Sequence, residues 1–470
     1  MTVVSGDLVD RPAWEIRDLV ASRQVSASET VEASLSRIER DDGALHSFLT
    51  VCGEEAVTEA KSLDRRLATG EPPGPLCGVP VSVKDLYWTK GVRTTYGSLV
   101  FTDHVPTEDA VAVARLRAAG AVLVGKTNTP EFGIFIRTTN RLAPETRNPW
   151  DLDRSPGGSS GGAAASVAAG LTPVALGSDG GGSIRIPAAL CGVMGLLPTG
   201  GAVPNHGGFI GTRRFSVAGP IARCAKDLGL MLAAVMGPDR RDFRSLQVPR
   251  PDLHAAADGL VGLRLRQVAI GGDTVVTHAI ATAVEAAVSR LEAAGASVDP
   301  TPWYYDPDRW RVPFYAIMMA DRLASGGKEL LADAAKVSLL TDYAATQLEM
   351  ALAVTGESYS AALRVRDEAR LALYDALAGA DMLVLPTVGL PAPPAGEGTR
   401  LPDEARRAYV ALTYMANYTG LPAVSVPCGL VNGLPVGLQA IAQPGGEAAL
   451  LRLCAAVEAA VGVARPHEFS

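Results

Sequence analysis

Ser183 closes the run Gly177-Ser178-Asp179-Gly180-Gly181-Gly182-Ser183, and Ile184-Arg185-Ile186-Pro187 follows. Three consecutive glycines free the backbone to turn several N–H groups toward one point. A serine directly behind them sets a hydroxyl nucleophile beside a pocket for negative charge. Acyl transfer uses that pairing, because charge develops on the carbonyl oxygen under attack. Two other segments hold residues fit for the same chemistry. Pro156-Gly157-Gly158-Ser159-Ser160-Gly161-Gly162-Ala163 leads into an alanine-rich helix, Ala163 to Ala169, stopped by Gly170. Gly78-Val79-Pro80-Val81-Ser82-Val83-Lys84-Asp85 reads as a short buried strand ending in a lysine. Each segment taken singly has a plainer explanation. A Gly/Ser run is commonly a linker, a strand-end lysine commonly keeps its ammonium in water, and a serine after glycines commonly sits on a solvated turn.

Taken together, the three segments resemble the amidase signature family. The match runs from Gly157 through Pro187, with Ser159 and Ser183 24 residues apart and Lys84 and Ser183 99 apart. It extends to Lys126-Thr127-Asn128-Thr129-Pro130-Glu131-Phe132, Gly219-Pro220-Ile221-Ala222-Arg223, Gly420 to Pro427 and Gly433 to Gln439. The resemblance implies a catalytic triad of Lys84, Ser159 and Ser183. Ser183 is its nucleophile, and Ser159, on a cis peptide, is the proton relay. Lys84 is the base, kept neutral by burial, since desolvation disfavours the ammonium. The implied oxyanion hole comprises the N–H groups of Gly180, Gly181, Gly182 and Ser183, with Asp179, Arg185 and Ser160 in support. The implied activity is hydrolysis of amide C–N bonds through an acyl-enzyme, with aryl or alkyl amides, carbamates (urethanes) and esters all open as substrates. Three positions depart from the family pattern: Leu197 replaces a lysine, Ser178 replaces the commoner threonine, and Leu86-Tyr87-Trp88 is unusually aromatic.

Substrate choice is expected in two places. The segment Gly201 to Phe215 has mobile glycines and an apolar tip at Phe209 and Ile210, followed by Arg213 and Arg214. The densest aromatic cluster is Trp303, Tyr304, Tyr305, Trp310, Phe314 and Tyr315, with Met318 and Met319 behind it. Such clusters are ordinarily core, but in the family the middle region often lines the entrance. Phe132 and Ile134 are further candidates for the pocket wall.

The elements that must position these residues follow an α/β pattern. Ser26-Ala27-Ser28-Glu29 is a capping box that opens a helix through Val31, Leu35 and Ile38. Val111 to Ala119 reads as a helix, Gly120 as its stop and Ala121 to Val124 as a strand; Ile280 to Val298 repeats the unit. Strands also fit Leu263 to Ile270, Met382 to Leu385 and Ala423 to Pro427. The expected fold is one large α/β domain over residues 1–470, a central mixed sheet with helices on both faces. Its expected parts are N-terminal helices over about 10–65, a signature core over 75–230, a helical and aromatic entrance region over 275–375, and a C-terminal sheet and helix over 380–470.

Composition sets bounds. The net charge of −7 comes without a basic block, which argues against an independent nucleic-acid surface. Cys52, Cys77, Cys191, Cys224, Cys428 and Cys454 are scattered without a C-x-x-C pair, as in a reduced, cytoplasmic protein. The six histidines form no ligand motif, so neither metal nor cofactor is expected, and His206 reads as a loop residue. No long apolar run suggests a membrane span. The expected partners are therefore a small-molecule amide and, at most, a second copy of the chain in a homodimer, with no nucleic acid and no membrane.

Two other functions compete with a free-standing amidase. A-type subunits of amidotransferases share the signature and release ammonia from glutamine or asparagine alongside partner subunits. Gly158-Ser159-Ser160-Gly161-Gly162 also satisfies G-x-S-x-G with Ser160 as nucleophile, but Asn148 to Arg154 is a poor strand to precede such an elbow.

Overall fold

The computed structural model describes residues 8–208, 214–248, 253, 259–396, 403–462 and 464–466. The strands, in chain order, are β1 (Phe48–Val51), β2 (Pro80–Lys84), β3 (Val122–Thr127), β4 (Val174–Asp179), β5 (Met194–Leu197) and β6 (Val217–Ala222). β7 (Arg264–Ile270), β8 (Ser297–Tyr305), β9 (Met382–Pro386), β10 (Ala423–Val431) and β11 (Leu434–Ala442) follow. They form one sheet in the order β1-β3-β2-β4-β6-β5-β10-β11-β9-β7-β8. β2 runs parallel to β3 and β4, and β7 runs parallel to β8 and β9. The other neighbours are antiparallel. This is the mixed sheet that the alternating helix and strand signals predict. Every residue of β2, β3 and β4 is buried, as expected of parallel strands covered on both faces.

Local sequence explains how the helices begin and end. α1 (Ala27–Leu45) opens on the predicted capping box, with Ser26 Oγ accepting from Glu29 N–H and the Glu29 carboxylate accepting from Ser26 N–H. α2 (Val111–Ala118) gives way to Gly120, whose φ of +86° turns the chain into β3. The remaining helices used below are α3 (Gly161–Ala168), α4 (Arg185–Cys191), α5 (His278–Ala293), α6 (Asp308–Arg322), α7 (Asp342–Ala351) and α8 (Tyr414–Thr419). α3 is buried at every residue, which its glycine, alanine and serine composition allows because small side chains let neighbouring elements approach closely.

The topology sets the site. Because β2 and β4 are parallel, Lys84 and Asp179 end their strands on the same edge of the sheet. Ligand sites in α/β sheets form at such carboxyl ends. The glycine run leaves β4 there and enters α4.

The aromatic cluster divides according to strand alternation. Trp303 and Tyr305 share one face of β8 and stack at 5.7 Å, with Trp310 6.5 Å from Trp303. Tyr304, on the opposite face, is 65% exposed. Only Phe314 and Tyr315, on α6, reach the cavity described next.

Candidate active site

Lys84 is fully buried at the end of β2 and, among the described residues, has no carboxylate in contact. Its Nζ lies 2.7 Å from Ser159 Oγ, 2.9 Å from Ser160 Oγ and 2.9 Å from Ser178 Oγ. A neutral amine has two donors and one lone pair, and hydroxyls can serve either role. Three hydroxyls therefore satisfy the amine as well as the ammonium. Burial drives the Lys84 pKa well below the ordinary 10.5, with Asp179 opposing the shift. Ser160 Oγ lies 3.2 Å from the Ser178 carbonyl oxygen and donates to it, so its lone pairs face Lys84. Ser159 follows a cis peptide bond to Gly158.

The glycine run is held from below by a buried charge network. Asp179 Oδ2 accepts from Arg185 Nε at 2.9 Å, and Asp179 Oδ1 accepts from Gly182 N–H at 2.6 Å. Burial pushes the Asp179 carboxyl upward, but Arg185, Asn417 and the Gly182 N–H outweigh it and hold the group below its ordinary range. Arg185 also donates to Gln439 Oε1 at 2.6 Å, to Asn417 Oδ1 at 2.6 Å and to the Thr413 carbonyl at 2.9 Å. Asn417 returns Nδ2 to the Asp179 carbonyl at 3.0 Å, and Thr413 Oγ1 donates to the Gly181 carbonyl at 2.7 Å. A buried pair is costly unless its remaining hydrogen-bonding capacity is filled, and these contacts fill it.

That network corrects one of the expected oxyanion donors. The N–H of Gly182 is spent on Asp179 Oδ1, and Gly182 is buried behind the cavity wall. Gly180, Gly181 and Ser183 do line the cavity. Among the described residues, no hydrogen bond takes up the N–H of Gly181 or Ser183. Gly182 matters for its shape instead: a Cβ there would lie 2.2 Å from Thr413 Oγ1.

Ser159 and Ser183 open on one cavity of about 1140 Å³. Ser183 Oγ has no hydrogen bond among the described residues, while the Ser183 carbonyl accepts from Ser160 N–H at 3.0 Å and joins the two serine motifs. Catalytic hydrogen bonds in ligand-free sites are often long and tighten with substrate. Phe132 and Ile134 line the same cavity, with Phe135 stacked 4.8 Å from Tyr343 of α7. Met318 and Met319 are also in its wall. Phe209 and Ile210 lie outside the described residues. His206 is 4.0 Å from Glu108 and is not part of the wall.

Sequence reasoning missed several members of the site. Ser178 was visible only as a substitution for threonine, yet its hydroxyl contacts Lys84. Asn417, Thr413 and Gln439 stand more than 200 residues from Asp179. Only the Gly433 to Gln439 motif hinted at one of them.

The chain matches the Amidase family over residues 29–451. It is 38% identical to the A-type subunit of the glutamyl-tRNA(Gln) amidotransferase from Anaeromyxobacter dehalogenans (strain 2CP-C), covering 94% of each chain. A solved bacterial aryl acylamidase of the amidase signature enzymes superposes with a TM-score of 0.87 at 29% identity, covering 96% of both chains. The corresponding glutamyl-tRNA(Gln) amidotransferase subunit of Thermotoga maritima superposes with a TM-score of 0.78 at 28% identity, covering 100% of this chain and 98% of that one.

These relatives correct the expected partners, a small-molecule amide with at most a second copy of the chain and no nucleic acid. The amidotransferase relatives are by name subunits of a larger enzyme, and that enzyme is named for a tRNA. Among the described residues, no helix is long and apolar enough to cross a membrane. The chain belongs to the amidase signature family and is an enzyme acting on amide C–N bonds.

Proposed function

We propose that this chain is the amide-hydrolysing subunit of an amidotransferase, releasing ammonia from glutamine while partner subunits pass the nitrogen to an acceptor. One observation carries the assembly: the 38% identity to an amidotransferase subunit of the A type, which spans 94% of both chains. The proposed unit is the whole chain, with the middle region over 275–375 as the entrance to the site.

The chemistry proposed for it is that of a Ser183–Ser159–Lys84 relay. Neutral Lys84 takes the Ser159 proton as Ser159 takes the Ser183 proton, and Ser183 Oγ bonds to the carbonyl carbon. The N–H groups of Gly181 and Ser183, with Gly180 beside them, meet the oxyanion. Collapse breaks the C–N bond, and the relay returns the proton to the departing nitrogen. Water then attacks the acyl-Ser183 ester and releases the acid. Asp179 and Arg185 fix the glycine run, and Ser160 fixes Lys84. The three hydroxyls around a buried lysine without a carboxylate support this reading, because they accommodate both protonation states.

A second reading keeps the chemistry and enlarges the donor. The cavity exceeds the roughly 300–1,000 Å³ of usual ligand pockets, and a single amino-acid amide fills little of it. Phe132, Ile134, Phe135 and Met318 favour an aryl or alkyl acyl group, with amide, ester or carbamate linkages all accessible.

The test is ammonia release from glutamine and asparagine by the purified chain, alone and co-expressed with the other subunits of a relative's amidotransferase. A matched anilide, ester and carbamate panel and Ser183→Ala run alongside. Slow glutamine turnover that rises at least about tenfold with the partners, and vanishes in Ser183→Ala, supports the subunit reading. Turnover of the anilide with none of glutamine, with or without partners, selects the larger donor.

A further inference from the structure

One face of α6 lines the cavity. Arg311, Tyr315, Met318 and Arg322 fall at i, i+4, i+7 and i+11 and so form a single stripe along the helix. Phe314, beside that stripe, meets the glycine run: a Cβ on Gly181 would lie 3.3 Å from its ring. Arg322 stands eight residues further on, about 12 Å along the helix axis. The stripe therefore leads from the reacting end of the cavity to a guanidinium.

The arginines at its two ends differ in their partners. Arg311 Nε is 2.9 Å from Asp308 Oδ1, and Asp308 also pairs with Arg407. Arg322 donates Nη1 to the neutral amide oxygen of Gln347 at 2.5 Å. No carboxylate among the described residues is within ion-pair distance of Arg322. Burial lowers its pKa to about 10, so it remains charged at neutral pH. Tyr315 lines the same cavity, and burial raises the pKa of its hydroxyl, with Arg406, Arg322 and Arg311 opposing the shift. Arg322 is half-buried in the cavity wall, and a guanidinium partly removed from water without a counter-charge is unfavourable, while its planar fork fits a carboxylate.

We infer that Arg322, with Gln347 beside it, binds a carboxylate at the end of the donor amide remote from the scissile bond. Tyr315 and Met318 on α6 lie along the stripe between, and Ile134 and Phe135 add to the apolar lining of the same cavity. The substrate class is then a monoamide of a dicarboxylic acid whose two ends are separated by an apolar spacer, longer than glutamine. The inference rests on the second reading above, in which this cavity is the donor site of Ser183 and takes a donor larger than glutamine.

The test compares suberamate with octanamide, and adipamate with hexanamide, by ammonia release. Wild type is expected to show a KM about 10- to 100-fold lower for each anionic amide than for its neutral partner, and a longer optimum than glutaramate. Arg322→Gln should collapse that preference to within about threefold, while Arg322→Lys should keep part of it. Equal KM values in wild type, or an undiminished preference in Arg322→Gln, overturn the inference. Binding separates it from the donor-site reading. Suberate should raise the melting temperature of Ser183→Ala and leave that of Ser183→Ala/Arg322→Gln unchanged. Suberate binding without turnover of any amide defeats the donor reading and keeps the anion subsite. Turnover without suberate binding or preference does the reverse.

Discussion

Two lysines stand near the ends of adjacent parallel strands, both fully buried, and their partners differ. Val83 is in register with Lys126, so Lys84 and Lys126 project from opposite faces of the sheet. Lys126 Nζ meets Asp85 Oδ1 at 3.2 Å, the Tyr87 carbonyl at 2.8 Å and Thr94 Oγ1 at 2.7 Å. Lys84 meets three serine hydroxyls. Burial lowers both pKa values, but the charge of Asp85 in its ion pair resists the shift at Lys126, whereas at Lys84 the charge that opposes it is the more distant Asp179. Residue type and burial are shared. The partner set decides whether a lysine keeps its proton or can exchange it.

The sharpest break in this comparison is to remove each amine in turn. Lys84→Met is expected to lower turnover by about 10⁴-fold or more, because the members of the proposed triad act as a unit. Its urea unfolding midpoint should stay close to wild type, since the three hydroxyls left behind can pair with one another or with water. Lys126→Met should do the reverse. It strands the Asp85 carboxylate in a buried site, and breaking such a pair destabilises by about 3–5 kcal/mol. Urea midpoints and amide turnover measured on both variants separate the roles. A Lys126→Met protein of wild-type stability would show that Asp85 does not depend on it.

The second break uses pH. In the proposed relay catalysis needs the neutral amine, and a lowered pKa extends the neutral form to lower pH. The rate constant kcat/KM should therefore be level through mildly alkaline pH and fall as pH drops through a midpoint well below 10.5. A rate still climbing near pH 10 would put Lys84 in the class of ordinary lysines. Ser178→Asp gives Lys84 a carboxylate of the kind that Lys126 has. It should raise the acid midpoint by about 1–3 pH units, so activity at a pH near or below the new midpoint falls, by up to about 1000-fold, and returns as pH rises. Loss that persists at high pH would mean that the substitution disrupts the glycine run instead.

The two lysines also mark how far the sequence could be read. Lys84 and Lys126 both lie in motifs that resemble the amidase signature family, and both close apolar strand runs, so buried positions were legible. Their partners were not. Asp85 is adjacent to Lys84 in the chain, yet alternation along the strand directs it to the other face, toward Lys126. The mixed sheet followed from helix–glycine–strand units such as Val111 to Thr127, which are local. The Arg185 network needs α8 and β11, and only the folded topology brings these to the glycine run. For the same reason Gly182 was grouped with the oxyanion donors: four neighbouring N–H groups look alike in sequence, and only the Asp179 carboxylate distinguishes one. Arg322 carries no motif at all, because what marks it is that no carboxylate among the described residues pairs with it.

Ser178→Ala makes the finest distinction. The Ser178 hydroxyl is one of three around Lys84, and as an acceptor it favours the ammonium. Its removal should lower the Lys84 pKa slightly, moving the acid midpoint of kcat/KM to lower pH. Turnover on the plateau should fall by less than about tenfold, because Ser159 and Ser160 still orient the amine. Ser178→Thr keeps the hydroxyl and should restore the wild-type midpoint. A midpoint that moves upward in Ser178→Ala would mean that Ser178 donates to the amine and holds it neutral. Lys84 would then differ from Lys126 through a hydroxyl that prefers the free base, and the missing carboxylate would be the lesser cause.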